Sequence, residues 1–96
     1  MQVSWHDAAI EDAIEAAAFY ESGTPGRGPM FSQAVRSAVA AIKAAPDRYE
    51  VVFGRVRRYI IDGYSYSIYY RLKPDVIRIL TVKHHARDPN HGIRRR

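Results

Sequence analysis

The stretch RVRRYIIDGYSYSIYYRL, residues 55–72, constrains the fold more than any other part of the chain. Runs of β-branched and aromatic residues flank Asp62-Gly63, a dipeptide that tolerates the positive φ angles of a tight turn. The stretch therefore predicts a β-hairpin. LKPD (72–75) supplies a second turn, and VIRILTV (76–82) predicts a further strand.

The first half of the chain has a different period. QVSW (2–5) reads as a short strand. Asp7 can then cap a helix to about Ser22, with Ile10, Ala13, Ile14, Ala17 and Phe19 or Tyr20 recurring at three- and four-residue spacing. GTPGRGP (23–29) must be a loop. A second helix runs from about Pro29 to Ala45, burying Phe31, Ala34, Val35, Ala38, Ala41 and Ile42, and Pro46 ends it. Each amphipathic helix needs a surface for its stripe, and the strands of the second half provide one. The expected fold is α+β in the order β-α-α-β-β-β: a helical hairpin packed on one face of a mostly antiparallel four-stranded sheet.

Ninety-six residues, 47% of them hydrophobic, suit one domain over the whole chain, 1–96. With no cysteine there is no disulfide framework, thiolate metal site or cysteine nucleophile. No apolar run approaches the roughly 20 residues that span a bilayer, and the N-terminus lacks a signal-peptide pattern. The expectation is a soluble cytoplasmic protein without a membrane partner.

Charge is unevenly placed. Residues 1–50 hold four basic and seven acidic side chains, a balance of −3, whereas residues 51–96 hold eleven basic and three acidic, a balance of +8. One end or face is therefore expected to meet an anionic partner. Strand alternation selects the groups available to it. Tyr64, Tyr66, Ile68 and Tyr70 share one face of their strand, leaving Ser65, Ser67, Tyr69 and Arg71 on the other. Arg55, Arg57 and Tyr59 oppose Val56, Arg58 and Ile60, while Ile77, Ile79 and Thr81 oppose Val76, Arg78, Leu80 and Val82. With helices on one face, the other is expected to stay partly open, and Tyr69 is its best exposed aromatic.

The segments VSWHDAAIEDAIEAAAFY, FSQAVRSAVAAIKAAPDRY, VRRYIIDGYSYSIYYRL and DVIRILTVKHHARDP occur in an order that resembles the RelE/ParE superfamily of type II toxin-antitoxin toxins. The resemblance covers nearly the whole chain. The arginine-rich strand, the YSIYYR strand and the strand ending in HHARDP are its most specific parts. It implies a growth-inhibiting toxin, associated with plasmid stabilization and neutralised by a cognate antitoxin that lays an often acidic segment over the basic face. A disordered segment of that kind can fold onto a large preformed surface.

The superfamily implies two activities. A RelE-like member cleaves messenger RNA on the ribosome without a metal, whereas a ParE-like member poisons DNA gyrase. The nuclease branch uses lysines or an acid near the second strand, an arginine in the third, and an arginine, histidine or tyrosine near the C-terminus. Here Arg55, Arg57 and Arg58 stand without a lysine, and Ser67 occupies the place where several nucleases carry arginine. The missing set favours the ParE-like reading, with no enzymatic activity and no cofactor. A non-toxic module that binds only an antitoxin or nucleic acid is a third reading.

Metal-free RNA cleavage needs a base, an acid and fixed positive charge for the phosphate. His84 or His85 could move protons while Arg57 and Arg87 hold phosphate, since imidazole titrates near neutrality and guanidinium binds phosphate bidentately. Adjacent histidines on a strand point to opposite faces, so no metal site is expected from them, even with His91 nearby. Arg55, Arg57, Arg58, Tyr69, Arg71, Arg94, Arg95 and Arg96 are the candidates for contact with a target or antitoxin, the last three in a basic tail that begins at about residue 84. Asp88-Pro89-Asn90 reads as a turn.

Overall fold

The computed structural model describes residues 1–96. In chain order the elements are β1 (Gln2–Trp5), α1 (Asp7–Gly23), α2 (Arg27–Ala44), β2 (Glu50–Phe53), β3 (Val56–Ile60), β4 (Tyr66–Leu72) and β5 (Val76–His84). The strands form one sheet in the order β1-β5-β4-β3-β2. β1 lies parallel to β5, and every other pairing is antiparallel. The helical hairpin on a mostly antiparallel sheet is as expected, but the sheet has five strands rather than four. The extra strand, β2, pairs with β3 through a turn at Gly54, whose φ of 53° suits glycine. Arg55 consequently lies in that exposed turn rather than in a strand.

The Asp62-Gly63 turn forms where the sequence predicts it. Gly63 has φ 80°, and the Tyr64 N–H donates to the Ile61 carbonyl at 3.2 Å. The helix boundaries shift slightly. His6 rather than Asp7 caps α1, its Nδ1 accepting from the Ala8 N–H at 3.0 Å. At the start of α2 the cap residue is Gly26, and Glu21 of α1 supplies the missing acceptor. Its carboxylate takes the N–H groups of Gly26 at 2.9 Å and Gly28 at 3.0 Å. A carboxylate at a helix N-terminus satisfies orphan donors and meets the positive end of the dipole, so this contact fastens the two helices together.

The main core lies between helices and sheet. Phe31, Val35, Ala38 and Ile42 of α2 meet Ile68, Tyr70, Ile77, Ile79 and Val82, matching the stripe expected for α2. The stripe expected for α1 is rotated. α1 buries Ala9 and Ala16, while Ile10 and Ile14 are 42% and 56% exposed. Apolar residues cover more than half of the circumference of α1, so periodicity alone could not choose between rows. Close approach of the backbones selected the alanines.

A bulge changes the faces of β5. Tyr69 pairs with Thr81 but Tyr70 pairs with Ile79, leaving Leu80 as the extra residue. Beyond the bulge the alternation inverts. Val82 therefore joins the main core, and Thr81 turns to the opposite face, the reverse of the simple period-two expectation.

That opposite face is not left open. The tail folds back across it, and Ile93 closes a second small core with Val56, Tyr69 and Leu80. No helix of the protein is long and apolar enough to cross a membrane.

Candidate functional site

The tail is held by a polar clamp at the uncovered part of the β5 edge, beyond the end of β1. Asp12 of α1 accepts from the Thr81 hydroxyl at 2.6 Å and from the Arg95 guanidinium at 2.6 Å. Arg95 also donates to the Leu80 carbonyl at 2.9 Å, and His91 lies 3.6 Å from the Asp12 carboxylate. Burial alone would push the Asp12 carboxyl up. Hydrogen bonds from Thr81 and Arg95, with the charges of Arg95 and His91, outweigh it and hold the group below the ordinary carboxylate value.

Lys83 fastens the next turn from inside. Its ammonium donates to the carbonyls of Pro89 at 2.8 Å, His91 at 3.3 Å and Asp88 at 3.4 Å, and stands 4.4 Å from the centre of the Tyr69 ring. Burial lowers its pKa. Neither Lys83 nor Asp12 is singled out by the sequence. The available signal for Lys83 was one lysine closing an otherwise inward-facing run, ILTVK.

Between tail and sheet this packing leaves a cleft of about 370 Å³, lined by Arg58, Tyr69, Lys83, His85, Arg87 and Ile93 among others. His85 is oriented there by Ser67, with 2.8 Å between the hydroxyl and Nε2. Arg58 is paired with Glu50 at 2.8 Å, which raises its pKa further, and its Nε is buried without a partner. Arg87 is exposed at the rim.

The four proton-transfer and phosphate candidates do not converge. His84 lies on the helix side, edge-on to Tyr66 at 5.1 Å, and its Nδ1 accepts from the Ala86 N–H at 2.9 Å. Its ring centre is 6.5 Å from that of His85. Arg57 is also on the helix side, donating to the carbonyls of Asp47 at 3.0 Å and Tyr49 at 2.8 Å, where it braces the α2–β2 loop. His85 and Arg87 share this cleft, and Arg87 also lines a smaller hollow with His84 on the helix side. Two other expectations need correction. Tyr69 is 9% exposed because the tail covers it, and Arg95 is engaged by Asp12 rather than free. Arg71, Arg94 and Arg96 gather at the other end of the tail around Phe53. Chemically, the cleft offers an oriented imidazole and rim cations. Lys83 is not a free proton-transfer group there, because its N–H donors are engaged by carbonyls. No three histidine, aspartate or glutamate side chains come together in a metal-binding group.

The model of the family described as "ParE toxin of type II toxin-antitoxin system, parDE" matches residues 3–89. The chain belongs to the ParE toxin family. Two relatives called Toxin ParE2, from the CDC 1551 / Oshkosh and H37Rv strains of Mycobacterium tuberculosis, are each 26% identical to this toxin over 86 residues, covering 88% of this chain and 82% of theirs. A solved structure titled "Chromosomal ParDE TA system from P. aeruginosa" superposes with a TM-score of 0.79 at 18% identity, covering 88% of this chain and 95% of that one, and so shows a shared fold. As a ParE-family toxin, the protein has a cognate antitoxin as its partner.

Proposed function

We propose that this toxin arrests growth in the cytoplasm by inhibiting DNA gyrase or a similar replication target, and that an acidic segment of its antitoxin neutralises it. One observation carries the choice over RNA cleavage: the candidate acid–base and phosphate groups are divided between two faces of the sheet. His84 and Arg57 lie on the helix side, with His85 on the other. General acid–base catalysis needs its groups within reach of one substrate. The apolar hollow bounded by Trp5, Ile10, Ile14 and Val35 supports the need for a partner chain, since an apolar patch of this kind gains from cover. Arg55, Arg58, Arg71, Arg94 and Arg96 are the residues proposed to meet the target or the acidic segment.

The test combines induction in cells with purified gyrase. Wild-type toxin is expected to cause filamentation and a DNA-damage response, and to block supercoiling by the purified enzyme, without new transcript 5′ ends. Unimpaired supercoiling together with transcripts newly cut within codons would sink the gyrase reading. The pairing of His85 with Ser67 beside Arg87 keeps ribosome-dependent RNA cleavage as the second reading. In that case His84→Ala/His85→Ala would abolish both the cuts and the growth arrest.

A further inference from the structure

A second cationic hollow lies beside the His85 cleft on the tail side of the sheet. Arg71 at the end of β4, Lys73 in the following turn, Arg94 and Arg96 of the tail, and Phe53 at the end of β2 enclose about 490 Å³. No aspartate or glutamate side chain lines it. Three features distinguish it from an ordinary solvated basic surface.

The first is an unmet donor. Arg71 Nε is buried without a hydrogen-bond partner, a state that carries a desolvation cost while the bond is unmade. The second is a like-charge pair. Arg71 stands directly opposite Arg78 of β5, an arrangement that disfavours folding. Arg78 is tied to the neutral Ser4 hydroxyl at 2.6 Å, and neither arginine belongs to an ion pair within the chain. A bound anion would offset the like-charge pair. The third is Phe53, which is 43% exposed and has the Arg94 guanidinium 5.4 Å from its ring centre. The face of an aromatic ring is electron-rich. It attracts a cation or a stacked base and offers a carboxylate nothing.

We propose that this hollow binds single-stranded nucleic acid, with a base stacked on Phe53 and flanking phosphates held by Arg71, Lys73, Arg94 and Arg96. Cations that follow the backbone beside an aromatic platform are the elements of such sites. Bases in a duplex already stack on one another and cannot reach the ring, so a single strand is the form that fits. The adjoining His85 cleft shares Phe53, and its Arg87 continues the positive track for a further phosphate. The site does not depend on whether gyrase is the target.

Fluorescence anisotropy with the purified full chain tests this, using labelled oligothymidylate, oligouridylate and a DNA duplex of equal length over a salt series, with oligoglutamate as competitor. Either single strand is expected to bind more tightly than the duplex, and the ratio of the two tells a DNA ligand from an RNA ligand. Arg94→Gln/Arg96→Gln should lower the salt slope by about one for each phosphate no longer neutralised. Phe53→Leu should weaken binding by about fivefold or more without changing that slope. Arg36→Gln removes the same kind of charge from the exposed side of α2 and should change neither. Arg71→Gln should act like the tail variant. If it fails to fold, the surface substitutions at 53, 94 and 96 still decide. The site is overturned if neither oligonucleotide binds, if Arg36→Gln weakens binding as much as the tail variant, or if Phe53→Leu has no effect. Oligoglutamate binding in place of both oligonucleotides would assign the hollow to an acidic peptide instead.

Discussion

Gly92 and Gly63 both occupy left-handed backbone, at φ 77° and 80°, yet their surroundings differ. A Cβ at Gly92 would lie 2.7 Å from the Thr81 Cβ, whereas one at Gly63 would meet open space. Gly63→Ala should therefore cost only the left-handed penalty, about 1–2 kcal/mol. Gly92→Ala adds overpacking of about 1–3 kcal/mol and should lower the denaturation midpoint further. Equal midpoints in urea would show that the tail packs less closely on Thr81. Asp12 carries the other residue-level prediction. Asp12→Asn removes the charge that compensates Arg95 and should cost about 1.5–3 kcal/mol near neutral pH. Because the folded-state pKa of Asp12 is depressed, its contribution is present above the unfolded value, near 3.8, and is lost as pH falls through the folded value. The stability gap between wild type and Asp12→Asn should accordingly narrow as pH falls below 3.8. A gap that stays constant through the acid range would argue against the ionised clamp.

At the scale of elements, α1 and α2 are joined by more than a loop. α2 begins without a side-chain cap of its own, and Glu21 reaches across from α1 to fill that role. Glu21→Ala should cost about 0.5–2 kcal/mol, the usual range for removing a helix cap. Glu21→Gln should recover part of the loss, because its carbonyl can still accept a bond while the charge facing the helix dipole is gone. Hydrogen exchange at Gly26 and Gly28 is the readout: faster exchange in Glu21→Ala confined to the start of α2 is expected, and unchanged exchange would mean that the cap contributes nothing. In the sheet, the Leu80 bulge has the larger consequence, since it allows Thr81 to reach Asp12 while Val82 enters the helix-side core.

For the whole molecule, the sheet is the common wall of two cores. Ile68, Tyr70 and Ile79 face the helices, while Val56, Tyr69 and Leu80 face the tail. The two sides should therefore melt together as one domain. Trp5, half-buried on the helix side, and backbone circular dichroism should report the same transition. Ile93→Ala, expected to cost about 2–5 kcal/mol, should shift both transitions equally although it lies on the far side from Trp5. Separate midpoints would show that the tail unfolds independently. The same arrangement divides the chemistry: Arg57 braces the α2–β2 loop from the helix side, whereas His85 faces the tail side.

Local chemistry made much of this architecture legible in the one-dimensional chain. The Asp62-Gly63 turn, the LKPD turn, the Phe31–Ile42 stripe and the two faces of β4 depend on residues close in sequence, so their periods and turn preferences survived into the fold. The order of segments also carried the family. Other features needed the third dimension. Whether α1 buried Ile10 or Ala9 depended on how closely another backbone approached, and the faces of Thr81 and Val82 depended on one bulged residue. The exposure of Tyr69 and the freedom of Arg95 depended on where the tail came to rest. Asp12 and Arg95 stand 83 positions apart, and no local pattern encodes a contact over that separation. Tertiary structure thus decided which basic residues remain available, because burial and ion pairing are properties of neighbours in space.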